Sequence, residues 1–226
     1  VQPVYRQLVE LNLDYASSLN KATDKQTEEK KDRLLTQARN VIESLQVAEL
    51  NNFFREVCID AKPIAIDTID RSAAVIYPII LRDRLQVLLI LPDRSPQLYT
   101  TEVKQEVLEN TIDEVQRSLI DPQSIPSGFF PQYQQLYDWV IRPLETELAN
   151  NKVKTLAFVL DGKLRNIPMS VLRDRDGYLV EKYAIAITPG LQLLNPKPLT
   201  EVQLQVLTAG LSKSRDGFAE LPNVPN

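Results

Sequence analysis

Val4, Leu8, Leu11, Tyr15 and Leu19 recur at intervals of three or four residues. That spacing predicts a helix carrying these side chains on one buried face. Thr23 and Asp24 offer a cap for a second helix, which opens in the charged run "DKQTEEKKDR". Farther on, Leu34, Ala38, Val41, Leu45 and Ala48 step by four and three, as facing helices require. Phe53, Phe54 and Val57 continue the apolar surface, and no Pro or Gly interrupts residues 24–58. Two long helices joined by a short polar turn predict an antiparallel helical hairpin.

Beyond Ser72 the period changes. "SAAVIYPIIL" and "RLQVLLILP" are rich in β-branched and aliphatic residues and flank a polar turn at Asp83-Arg84. They predict a β-hairpin of residues 74–81 and 85–91. Pro78 cannot donate to a ladder, so its strand is expected at a sheet edge or bulged there. "QLYTTEV" offers a third strand. Helical spacing returns through Val103, Val107, Leu108, Ile112, Val115 and Leu119. "DPQSIPSGFFP" reads as a loop, since three Pro and a Gly break either regular structure.

The next helix places Tyr133, Leu136, Tyr137, Val140, Ile141, Leu144 and Leu148 on its buried side, with Pro143 expected to kink it near Trp139. "KTLAFVL" then reads as a buried strand, "IPMSVL" as a short helix with Pro168 at its first position, and "EKYAIAIT" as another strand. Residues 156–160, 184–188 and 204–208 are expected to neighbour one another in a mainly parallel sheet. Helices first, then strands alternating with helices, define an α/β fold.

Composition narrows the function classes. A chain of 226 residues holds one large domain, or one domain with a small appendage. With 43% hydrophobic and 25% charged residues it reads as an ordinary soluble globular protein. A net charge of -4 without a single-sign block argues against a nucleic-acid partner, whose phosphates need a basic face. Apolar runs such as residues 87–91 are too short to span a membrane. The first residues, "VQPVYRQLVE", lack a signal-peptide pattern and do not begin with Met, so the chain is expected to be an excised piece. The single cysteine, Cys58, allows no internal disulfide, and the default reading is cytoplasmic.

Candidate chemistry is sparse. A Cys58 thiolate would need a base or a positive neighbour, and the sequence contains no histidine. Cys58 therefore reads as a small apolar residue at a helix end. Asp174, Asp176 and Glu181 lie close together, but the spacing of a calcium loop is absent, and a hairpin turn around Asp176-Gly177 is expected instead. Asp161-Gly162 is a turn without the Gly-rich run or Lys-Ser/Thr ending of a phosphate loop. Trp139 and the tyrosines of its helix are read as core packing. No catalytic, cofactor-binding or metal-ligating residue is assigned, and no cofactor is expected.

The order of segments resembles one family. "RNVIESLQVAELNNFFREVC", "AAVIYPIILRDRLQVLLILP", "LYDWVIRPLETEL", "LAFVLDGKLRNIPMSVL", "YLVEKYAIAITPGLQLL" and "LTAGLSKSRDGFAELPNV" follow one another as in the caspase-like CHAT domains found with tetratricopeptide repeats. The resemblance runs from about Arg39 to the C-terminus. It implies a caspase/separase-like mainly parallel sheet with flanking helices, and cysteine proteolysis by a His–Cys dyad borne on strand ends beyond the segment seen here. It divides the chain into residues 1–58, a helical hairpin ending a repeat region or forming a linker, and residues 59–226, the N-terminal part of a CHAT domain. "VLDGKLRNIPMSVL" would be the first core strand and its crossover helix. Cys58 matches a helix-end cysteine and not the nucleophile, and Pro189-Gly190 stands where the family has Pro-Ser.

The implied function is therefore the N-terminal portion of a cysteine endopeptidase, inactive alone. Its expected partners are the missing C-terminal half or a partner chain and, in the complete enzyme, a protein substrate, with no nucleic acid and no membrane. Two alternatives stay open: a non-catalytic caspase-like interaction module, and an unrelated α/β binding domain.

Overall fold

The computed structural model describes residues 2–19, 24–54, 70–121 and 131–190. Cys58, most of the expected loop at 121–131 and the expected strand at 204–208 lie outside the described residues. Helices α1 (Gln2–Ser18) and α2 (Lys25–Phe54) pack side by side. Asp24 caps α2 as expected, its Oδ1 accepting the Thr27 amide at 3.0 Å.

The buried face of α1 differs from the expected one. Val9, Leu13 and Ala16 are buried, whereas Val4, Leu8, Leu11 and Tyr15 are exposed. The helix carries two apolar stripes, and periodicity alone cannot choose between them. Arg6 lies one turn before Val9 and is tied by its guanidinium to Asp161, which turns the Val9 stripe inward. On α2, Ala38 and Leu45 are buried as expected. Leu35 and Ile42 join them, while Leu34, Val41 and Ala48 only flank the contact.

Five strands form the sheet, in the order β3-β2-β1-β4-β5. They are β1 (Ala73–Ile80), β2 (Leu85–Ile90), β3 (Gln97–Thr101), β4 (Thr155–Phe158) and β5 (Ala184–Ile187). β1 and β2 form the expected antiparallel hairpin, and β3 pairs antiparallel with β2. β4 is parallel to both β1 and β5, as expected for residues 156–160 and 184–188. Four strands thus run one way and only β2 opposes them. β1 and β2 are buried along their whole length, which is why they read as unbroken apolar runs.

Pro78 sits in a central strand, contrary to expectation. β4 pairs with β1 only as far as Ile76, whose carbonyl accepts the Val159 amide at 3.0 Å. The ladder contacts of β1 alternate between its neighbours. The Leu81 amide bonds to the Arg84 carbonyl on the β2 side, and the Ile80 amide turns the other way, to Asp161. Pro78 shares the parity of Ile80, so its missing N–H falls just past the end of β4, where no ladder bond is lost.

The sheet is covered on both faces. Against α1 and α2 lie Val75, Tyr77, Ile79, Leu88 and Ile90. The opposite face, with Ala74, Ile76, Val87, Leu89, Leu156 and Phe158, packs under α3 (Gln105–Ile120), α4 (Pro131–Val140) and α5 (Glu145–Asn150). α3 buries Leu108, Ile112 and Val115, but Val107 and Leu119, expected on the same stripe, are exposed. All seven apolar residues expected on the buried side of the α4–α5 segment are buried.

Pro143 breaks that segment into α4, a 3₁₀ turn at Arg142–Leu144, and α5. A helical N–H at position 143 would have served the Trp139 carbonyl. That carbonyl instead accepts the Thr101 hydroxyl at 3.0 Å, tying β3 to the break. The expected crossover helix after β4 is smaller than anticipated. Two 3₁₀ turns, Gly162–Asn166 and Met169–Val171, lead to the four-residue α6 (Leu179–Lys182), and Pro168 precedes the second turn.

Candidate functional site

In parallel α/β sheets the carboxyl ends of the strands, at the point where chain order reverses, are where sites are built. Here β1 is followed in sequence by β2 and β3 on one side and by β4 and β5 on the other. The carboxyl ends of β1 and β4 therefore form the switch point, and two clefts flank it.

One cleft, of about 380 Å³, is lined by Arg6, Glu10, Ile80, Arg82, Gln105, Glu109 and Asp161. Asp161, three residues past the end of β4, is its anchor. It is 2% exposed, accepts two N–H groups of Arg6 at 3.0 and 2.7 Å, and accepts the Ile80 amide at 3.1 Å. The hydrogen bond to Asp161 raises the Arg6 pKa against the opposing effect of burial. Gly162 follows at φ +51, the left-handed conformation a glycine accepts freely, and turns the chain beneath Ile80. Lys163 then bonds Asp113 at 2.7 Å, which raises the pKa of its ammonium and joins the turn to α3.

The other cleft, of about 450 Å³, lies between α2 and the ends of β4 and β5. Its walls are Gln46, Leu50, Leu160, Arg165, Ile187 and Pro189. The Leu160 carbonyl, past the end of the ladder, accepts Gln46 Nε2 at 3.2 Å and Arg165 Nε at 3.0 Å. Arg165 also bonds Glu49 at 2.9 Å. Side chains thus replace the missing strand partner, as a buried carbonyl requires.

Behind this cleft, under α2, the Tyr77 hydroxyl donates to the buried Glu43 carboxylate at 2.5 Å. Burial, reinforced by the Glu43 charge, pushes the Tyr77 pKa well above its ordinary value. Gly190 packs on Glu43. A Cβ there would lie 3.3 Å from Glu43 Cγ, and the residue holds φ +155. Glycine is thus favoured here by the backbone, and an added Cβ would press on Glu43. Thr188, two residues before it, exchanges hydrogen bonds with the Gly190 carbonyl and amide.

The residues weighed in the sequence fall elsewhere. Asp174 closes the expected turn: its carboxylate accepts the amides of Asp176 and Gly177 at 2.9 and 3.1 Å and pairs with Lys182. Arg173 and Tyr178 bridge antiparallel across it. Glu181 turns back to the Tyr178 amide at 2.6 Å and caps α6. Trp139 packs at the margin of the core. Among the described residues no group of three or more His, Cys, Asp or Glu could hold a metal ion, and no helix is long and apolar enough to cross a membrane.

The described part of the switch-point edge is therefore a frame. Asp161, Thr188, Arg165 and Gln46 are engaged in holding strand ends in place. Sequence reasoning singled out the Asp161-Gly162 turn but neither Arg6 nor the Glu43–Tyr77 pair. No sequence signal joins residues 155 and 34 positions apart.

One comparison bears on what this frame belongs to. Residues 131–226 match the CHAT domain. The match begins at the first residue of α4, includes β4, one of the two switch-point strands, together with β5, and extends into residues outside those described. No curated protein matches the chain. Within the described residues the matching segment does not make its own sheet. β4 completes its pairing with β1, and Phe158 packs in one core with residues of β1 and β2. The strands before residue 131 are thus structurally continuous with the matching segment.

Proposed function

We propose that residues 59–226 form the N-terminal part of a caspase-like CHAT cysteine protease and that residues 1–58 are a helical hairpin appended to it. The observation that carries this reading is the CHAT match over residues 131–226, falling on strands β4 and β5, which run parallel to β1. Thiolate catalysis needs an imidazole to take up the proton and backbone donors for the oxyanion. The sequence has no histidine, so the dyad must be supplied by residues outside it. The switch-point edge would border the completed site, and a protein substrate would reach it there.

The lack of an imidazole also favours a second reading, a non-catalytic caspase-like scaffold used in assembly. One experiment separates the two. Peptide-library hydrolysis is measured for this chain, for its Cys58→Ser variant, and for the full polypeptide of the parent gene. The protease reading expects no cleavage by the chain or its variant and cleavage by the full polypeptide. Inactivity of all three overturns it in favour of the scaffold. Cleavage by the chain that disappears with Cys58→Ser overturns both.

A further inference from the structure

Helix α1 shows solvent a second apolar stripe. Val4 is 68% exposed, Leu8 46%, Leu11 67% and Tyr15 45%, although the opposite stripe already holds the helix to the sheet. Val4 and Leu8 also line, with Val41, a shallow groove between α1 and α2. Scattered surface hydrophobics need no explanation, but a continuous stripe does. This one has the four–three–four spacing of a helix-packing seam.

Two properties indicate what covers it. First, the spacing is palindromic. If a second α1 lies antiparallel across the first, with a two-fold axis between Leu8 and Leu11, each Leu8 faces the partner's Leu11. Each Val4 then faces the partner's Tyr15. A self-matching patch of this kind is what an isologous contact requires. Second, the groove carries no charge. Tyr5, Gln37, Asn40 and Ser44 complete its lining. Two copies of a charged rim would repel; here the groove is neutral, and Lys30, 4.6 Å over the Tyr15 ring, falls at opposite ends of an antiparallel pair, so its two copies stay apart. Arg6 and Asp14 point away into pairs with Asp161 and Arg84.

We infer that this stripe is a homodimer interface in which two α1 helices pack antiparallel about a two-fold axis. The seam from Val4 to Tyr15 is only about 16 Å long. That places it at the low end of specific interfaces, so the dimer is weak and dissociates on dilution.

Sedimentation equilibrium on the chain over a hundredfold concentration range tests this. A monomer–dimer equilibrium is expected, shifted at least tenfold toward monomer by Leu8→Glu and by Leu11→Glu. Ile120→Glu, at a 76% exposed apolar residue on α3, should leave it unchanged. Val4→Lys provides a milder variant at the most exposed position, and matched thermal melts establish that each variant is folded. A monomer throughout the range overturns the inference. So does self-association that the α1 substitutions leave intact, or that Ile120→Glu weakens equally.

Discussion

Arg6 and Asp161, 155 residues apart, meet through two parallel hydrogen bonds of 3.0 and 2.7 Å. The aspartate side chain is 3% exposed and the arginine 33%. The carboxylate also holds the Ile80 amide, so one group joins α1, the end of β1 and the turn after β4. Losing either partner leaves the other without its counter-charge. Because Arg6 keeps some solvent, the cost falls below that of a fully buried pair, at about 2 kcal/mol for Asp161→Asn or Arg6→Met. A double-mutant cycle by urea denaturation should show a coupling of about 1 kcal/mol or more. Strict additivity would mean that the pair contributes nothing beyond its separate residues.

Asp174 makes the fold acid-sensitive. Burial works against its charge, but Lys182 and the amides of Asp176 and Gly177 outweigh it and lower its pKa from 3.8. The unfolded chain then takes up a proton at higher pH than the folded one, so stability rises with pH in that window. The contribution is complete above about pH 4 and is lost as pH falls through the depressed value. Asp174→Asn should destabilise by about 1–2 kcal/mol at pH 7 and flatten the loss of thermal stability below pH 4. An unchanged acid profile in the variant would assign that loss to other carboxylates.

Tyr77 acts at the alkaline end. Its folded pKa lies well above 10.0 through burial and the neighbouring Glu43 charge. The contribution is therefore present below pH 10 and is lost as pH rises beyond it, where the unfolded hydroxyl ionises first. In a spectrophotometric titration Tyr77, like Tyr137, should ionise only as the protein unfolds. Tyr77→Phe should shrink that late step by one tyrosine, leaving Tyr137 in it, and cost about 1–2 kcal/mol at neutral pH, since Glu43 loses a buried donor.

Gly190→Ser should destabilise the chain by about 1–2 kcal/mol. The substitution adds a Cβ at φ +155 and 3.3 Å from Glu43 Cγ. Glu43→Ala has its own cost, because it leaves the Tyr77 hydroxyl without this acceptor, but measured against that variant Gly190→Ser should lose only the backbone part. Full tolerance of Gly190→Ser in a denaturant titration would show that this turn relaxes freely.

Pattern reasoning succeeded where a segment had one environment to answer to. β1 and β2 read as hairpin strands because β-branched and aliphatic runs flanked a polar turn. The α4–α5 stripe was legible in all seven residues because that helix has a single apolar side. It failed on α1, whose two stripes satisfy the same period equally well. It failed on Pro78 as well. The rule against proline in a central strand assumes a neighbour along its whole length, and β4 ends at Phe158, opposite Ile76. At the candidate site the Asp161-Gly162 turn was visible, because a turn is a local property. The use of Asp161 as an anchor was not.

What the sequence by itself determined is what neighbours along the chain decide: helix and strand periods, the Asp24 cap, the Pro143 break, the Asp174 turn, the missing imidazole, and the order of segments that resembles CHAT domains. Tertiary structure alone decided which α1 stripe faces the sheet, that β1 pairs with β4, and that Arg6, Ile80 and Asp161 converge at the switch point. Local preferences act over one or two turns of chain and are written in spacing. Convergence across 155 residues depends on how twisted layers stack. A buried carboxylate accepts whichever donors that stacking brings to it, and no residue pattern names them in advance.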